Sequence, residues 1–188
     1  LLFRQAGHGS LLCNLAACGG DVILVKNIDN VVPQDRRESL IWPWRRRLVG
    51  LLVEVQRQAH ALAWRVEEGS ALDEAEAFLA ERFGTRMPAR VGDRAAWLLS
   101  ELDRPMRVAA MVPSTGEPGG GPFWLEDGRP QIVEGAQVDH TDADQEAIWR
   151  SSTHFNPVDL VLGVRDHRGR PLDLSAYVDR EAVIITRK

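Results

Sequence analysis

The sequence predicts an α/β domain with a mixed sheet and a helical insertion, on three observations. "DVILVKNI" is a near-continuous apolar run, as expected of a parallel strand covered on both faces. Residues 34–103 are charged, alanine-rich and apolar at helical spacing. From Arg104 onward the apolar period changes to two, the period of strands.

Taken in order, "LLFR" reads as a strand, "QAGHGS" as a turn and "LLCNLAAC" as a short helix. Gly19 or Gly20 stops that helix in the left-handed conformation. With "DVILVKNI" these residues predict a right-handed βαβ unit over residues 1–33. In the helical part, Leu48, Leu51, Leu52, Val55, Ala59, Leu62 and Val66 share one face of a long helix. A second helix opens at Ser70 as its N-cap and closes at Gly84, and "DRAAWLLSELD" makes a third. Residues 104–188 then carry the strand "MRVAAMV", a hairpin turning at Asp127-Gly128, the helix "DADQEAIWRS" and the strand "DLVLGVRD" with its turn "HRGRP".

The chain has 188 residues, is 44% hydrophobic and carries a net charge of −4. A domain of this size buries roughly 70% of the surface its unfolded chain would expose. Its basic residues are interspersed with acidic ones, which argues against a nucleic-acid or anionic-membrane surface. No stretch approaches the ~20 apolar residues needed to span a bilayer. Cys13 and Cys18 match no metal motif and read as reduced, buried thiols of a cytoplasmic protein. In "WPWRRR", tryptophans packed under a helix start with solvated arginines are weighed against a stacking surface. The chain opens at Leu1, without methionine, inside a strand-like run, so a piece of a longer protein is expected.

Asp29 lies at the carboxyl end of its strand, where open α/β sheets bind ligands. An ionised carboxylate there calls for a partner, and magnesium, which takes one or two carboxylates with phosphate oxygens and water, is a natural one. The alternative is that Asp29 and Asn30 start the turn toward Pro33. In "AGHGSLL", Gly7 and Gly9 leave backbone uncovered before a helix start, and His8 projects from that loop. His60, within the long helix, reads as structural.

"GHGSLLCNL" followed by "DVILVKNIDN" resembles the segment of UDP-sugar pyrophosphorylases in which a Gly-His-Gly loop precedes a strand ending in Asp-Asn. That resemblance implies a Rossmann-like, GT-A-type nucleotidyltransferase fold. It implies that Gly7, His8, Gly9 and Asn30 meet the nucleotide, and that Asp29 is the catalytic residue and magnesium ligand. "GRPQIVEGAQVD" is similar to the strand whose acidic residue touches the sugar; Glu134 matches, while Gly135 replaces an aromatic residue. "THFNPVDLVLGV" resembles the next strand, which implies sugar contacts from Asn156, with His154 and Asp159 nearby; the alternative for Asn156-Pro157 is a plain turn. Across its length the chain is similar to a bacterial family, domain of unknown function 4301, through "LFR-x-x-GHG", "KNIDNVVP", "GEPGGGPFW" and "THFNPVDLV".

The implied activity is transfer of a nucleotidyl group from a nucleoside triphosphate to a sugar 1-phosphate with Mg2+. A binding module of the same fold without catalysis is the alternative. The triphosphate-binding glycine loop would lie upstream and a phosphate-binding lysine downstream, so residues 1–188 read as the middle of a catalytic domain, inactive by itself. "TGEPGGGPF" lacks the Lys-Ser/Thr of a P-loop, and Pro118 and Pro122 remove donors from it. Gly119, Gly120 and Gly121 form either a mobile lip over a sugar pocket or a simple strand connection. A metal-dependent hydrolase using His8, His140, His154 or His167 is a third idea, though the spacings match no zinc pattern.

Overall fold

The computed structural model describes residues 8–27, 33, 36–116, 119–126 and 128–178. The "LLFR" strand, Gly7, Asp29, Asn30, Pro118 and Asp127 lie outside the described residues.

A one-turn 3-10 helix, His8–Leu11, leads into helix α1, Leu12–Ala17, and strand β1, Val22–Lys26. Gly19, at φ +68°, makes the left-handed stop between them. Three helices follow: α2 (Trp42–Glu67), α3 (Leu72–Phe83) and α4 (Arg94–Leu102). Next come β2 (Met106–Ala109), β3 (Val112–Pro113) and the hairpin strands β4 (Gly121–Trp124) and β5 (Pro130–Val133). Helix α5 (Ala143–Arg150), β6 (His154–Phe155) and β7 (Asp159–Gly163) follow, with a π-helical turn Arg37–Ile41 ahead of α2 and a 3-10 turn Leu174–Tyr177 after β7.

The central sheet has the order β1-β7-β2, and β7 runs antiparallel to both neighbours. Two further antiparallel pairs, β3 with β6 and β4 with β5, flank it. The architecture is therefore α/β with small antiparallel sheets, where the sequence points to a mixed sheet. The apolar run of β1 is not covered on both faces either, because Leu24 remains exposed.

Helix α2 packs on β2 and β7 of the sheet, and α3 and α4 pack on α2 and on each other. Leu52, Ala59, Leu62, Ala63 and Val66 of α2 meet Ala75, Leu79, Leu98 and Leu102 of the other helices, with Met106 and Val161 from the sheet. Burial recurs at helical spacing along α2, as the sequence predicts. Leu51 departs from it: 52% exposed, it turns toward a surface cleft and not the core.

The helix boundaries show what the chain does locally. Asp93 caps α4 by accepting from the Ala96 N–H at 3.0 Å. Ser70 does not cap α3. Its hydroxyl donates to the Arg65 carbonyl at 2.9 Å and closes α2, while Ala71 stands before α3 at φ +60°. Gly84 ends α3 at φ +66°, and the Trp124 ring packs so close that an added Cβ would lie 2.9 Å from it. The hairpin forms as predicted, with the Gly128 N–H donating to the Leu125 carbonyl.

Cys13 and Cys18 are both exposed free thiols, not buried ones. Helix α1 contributes no buried residue, so none of the described residues covers them. Among the described residues no helix is long and apolar enough to cross a membrane.

Leu98→Ala should lower stability by about 2–5 kcal/mol, since Leu98 is fully enclosed. Leu51→Ala should change it by less than about 0.5 kcal/mol. Urea unfolding of both variants checks the assignment, and a large loss in Leu51→Ala would contradict it.

Candidate functional site

Strand register brings together charges far apart in sequence. Lys26 ends β1 and Asp159 begins β7, and the antiparallel pairing sets them opposite each other. Lys26 Nζ lies 3.0 Å from Asp159 Oδ2 and donates to the Pro157 carbonyl at 3.1 Å. Arg45 reaches the other carboxylate oxygen, with Nε 3.1 Å from Oδ1. It comes from the first turn of α2, where Pro43 suits the helix start. The three side chains are mostly buried, and one positive charge is left in excess.

These groups form the polar end of a cleft of about 640 Å³ at the carboxyl ends of β1 and β2. Trp44, Leu48 and Leu51 of α2 line it, together with residues 108–112. Most of the lining is apolar, with a few placed charges, the usual make-up of a small-molecule site.

The corner beside the cleft is built by Asn156, which is buried. Its side-chain amide donates to the Ala110 carbonyl at 2.7 Å, and its Oδ1 accepts from the Val158 N–H at 3.0 Å. Its own N–H donates to the Gly120 carbonyl at 2.8 Å. Val158 is thereby held at φ +55°, a left-handed conformation rare for a β-branched residue. Asp159 is the next residue, its carbonyl accepting from the Ala110 N–H at 3.0 Å.

Three residues expected on the sugar side, Glu134, His154 and Asn156, converge on the glycine run. A Cβ at Gly120 would lie 3.3 Å from Glu134 Cγ, and one at Gly121 would lie 3.2 Å from the His154 carbonyl. Glu134 forms a capping box with Gln137 around the 3-10 turn Gly135–Gln137. His154 is exposed, with Nδ1 2.8 Å from Thr153 Oγ1. Gly120 and Gly121 are buried and pack against side chains of Ile132, Ser152 and Phe123, while Gly119 is exposed; the buried pair has the packing of a strand connection.

The nucleotide-side residues fare differently. Gly7, Asp29 and Asn30 lie outside the described residues, and His8 opens the 3-10 turn His8–Leu11. Gly9 is exposed and is not among the described residues that line the cleft. Among the described residues no group of three or more His, Cys, Asp or Glu is placed to hold a metal ion. Asp159 already has both oxygens on cations, so the described part of the cleft does not fit magnesium.

Reasoning from sequence passes over Lys26 and reads Arg45 as one of three solvated arginines, whereas its side chain is mostly buried against Asp159. A lysine ending an otherwise apolar strand is the available signal; its partners depend on register. The tryptophans of "WPWRRR" also stand differently from a packed arrangement under the helix start. Trp42 and Trp44 are exposed and carry the guanidinium groups of Arg45 and Arg47 on their rings.

Two other histidines sit in charged clusters away from the cleft. His167, buried at the far end of the sheet, has Nδ1 2.8 Å from Asp103 Oδ2 and Nε2 3.2 Å from Glu67 Oε1. His140 places Nδ1 2.6 Å from Glu146 Oε2 and Nε2 3.0 Å from the Gly135 carbonyl. At His140 both contacts are hydrogen bonds only when the ring is doubly protonated. The Glu146 carboxylate accordingly holds the His140 pKa above its ordinary value. His60 is shifted the other way, pushed down by burial.

The whole chain, residues 1–188, matches the family described as Domain of unknown function (DUF4301), and it belongs to that family. No curated protein and no solved structure matches it.

Asn156→Ala should cost about 2–4 kcal/mol, because it leaves the Ala110 carbonyl and the Val158 N–H without their partner; urea unfolding measures the loss. The His140 contact is whole below about pH 6.5, the ordinary histidine value, and is lost as pH rises through the raised folded value. Melting temperature measured against pH should therefore show a decline on the alkaline side that His140→Ala removes.

Proposed function

We propose that this member of the family binds a nucleotide or sugar nucleotide in the cleft and is a sugar nucleotidyltransferase-like protein. The observation that carries the reading is the Lys26–Asp159–Arg45 cluster at the polar end of an apolar cleft. Two cations share one carboxylate, so an entering phosphate meets donors already oriented and an uncompensated positive charge. Preorganised donors of this kind lose little reorganisation energy when charge arrives. Arginine suits the task because its fork matches a phosphate in two-point contact, and lysine adds a compact charge.

The transfer itself asks little covalent work of the protein. The oxygen of a sugar 1-phosphate attacks the α-phosphate of a nucleoside triphosphate, and pyrophosphate leaves. Lys26 and Arg45 would align the two anions and offset their repulsion. In this reading Gly7, His8, Gly9 and Asn30 face the nucleotide, and Glu134, His154 and Asn156 face the sugar. Asp29 is the proposed ligand of magnesium, which when bound would neutralise phosphate charge. The GT-A-type arrangement belongs to the same proposal. A binding module without transfer is the second reading, favoured by Asn156, whose amide already serves Ala110 and Val158.

Calorimetric titration with nucleoside triphosphates and UDP-sugars, with and without magnesium, tests the site. Lys26→Met and Arg45→Met should each weaken binding about tenfold or more, the scale of a charge-assisted hydrogen bond. Affinity unchanged in both cation variants would remove the cleft as the site. Pyrophosphate release across a panel of sugar phosphates separates the two readings. In the full-length protein, Asp29→Ala should abolish that release with the melting temperature unchanged, and full activity in that variant would end the catalytic reading.

A further inference from the structure

We propose that Trp44 is a stacking platform for the base of the bound nucleotide, so that the cleft selects ligands joining an aromatic ring to a phosphate. The proposal rests on the phosphate site formed by Lys26 and Arg45 and adds the part of the ligand that these two cations do not reach.

The geometry comes from the start of α2. Trp44 and Arg45 are adjacent in the helix and both line the cleft, so they present a ring and a charge to one ligand. Leu48 and Leu51, four and seven residues beyond Trp44, continue the same helix face along the cleft wall. Val108 and Met111 also line the cleft. A flat ring entering the cleft would meet an indole together with aliphatic groups.

The state of the indole points to an aromatic occupant over an aliphatic one. Trp44 is 64% exposed although it borders an apolar cleft. Its ring carries the Arg47 guanidinium at 4.6 Å from the centroid, three residues along the helix. A cation on one face steadies the ring and leaves the opposite face for a π-system. A base stacked there would complete an arginine–indole–base layer, with its phosphates directed to Lys26 and Arg45. An aliphatic anion would gain nothing from that layer beyond contact with Leu48, Leu51 and Met111.

The test compares ligands with and without a base, by calorimetry on the intact protein. The probes are UDP and ADP, against ribose 5-phosphate, pyrophosphate and dodecyl phosphate. The chain has six tryptophans, so calorimetry avoids an ambiguous fluorescence signal. Trp44→Leu should weaken UDP and ADP about tenfold or more, the usual loss when a base loses its aromatic platform. It should leave pyrophosphate and ribose 5-phosphate unchanged, and Trp44→Phe should restore most of the nucleotide affinity.

The proposal is overturned if Trp44→Leu leaves nucleotide binding intact, or if dodecyl phosphate binds the unaltered protein as tightly as ADP does. In either case a loss of all phosphate ligands in Lys26→Met would keep the phosphate site and remove only the stacking role. Failure of every phosphate ligand to bind would remove both.

Discussion

The buried amide of Asn156 ties three parts of the chain into one corner. Through Ala110 it reaches the strand end that borders the cleft, while the backbone N–H of the same residue reaches the hairpin at Gly120. Through Val158 it bends its own segment into a left-handed conformation. A buried polar side chain is tolerated when its bonding capacity is met, and its loss is then expensive because the partners are left orphaned. The strain at Val158 persists for the same reason, since the surrounding hydrogen bonds over-determine it. Asp159 is the residue just past this corner, so the charge arrangement of the cleft inherits its position from the amide.

The cleft joins two physical demands that usually conflict. Apolar walls favour an organic ligand by releasing water, and the same walls penalise charges set among them. Here the penalty is met by sharing. Lys26 and Arg45 both lean on Asp159, and Lys26 has the Pro157 carbonyl as well. The arrangement holds three ionised groups in a half-dry site while leaving a positive balance toward the opening. Helix α2 does double duty: its middle and C-terminal half builds the core, and its first turns carry Trp44, Arg45, Leu48 and Leu51 along the cleft.

The opposite end of the sheet is closed by a different cluster. His167 is fixed by Asp103 through both its ring and its backbone N–H, and it stacks edge-on against Trp64. Arg168 pairs with Glu67 and covers the same indole at 4.5 Å. Residues from α2, from the end of α4 and from the turn after β7 are thereby joined at the end away from the cleft. Register explains the division: Ala109 and Leu160 face the cleft end, and Met106 and Gly163 face the other.

The helical elements are readable from the chain because their signals are local. Apolar spacing marks α2, Asp93 announces the start of α4, and Gly84 closes α3. The Asp127-Gly128 turn marks the β4–β5 hairpin in the same way. Ser70 shows the limit, since one hydroxyl suits either the end of one helix or the start of the next, and only the path between them chooses. Candidate chemistry is legible as residue types, but Lys26 and Arg45 are not, because their meaning lies in Asp159 more than a hundred residues away. By itself the sequence marked the long helices, the hairpin turn, the strand runs of β1 and β7 and the family the chain resembles, but not the break after β2 or the short β3–β6 pair. The tertiary structure alone decided strand direction, which wall Leu51 and Trp44 would face, and which charges would meet. Those outcomes depend on register and packing between distant segments, and no local run of residues encodes either.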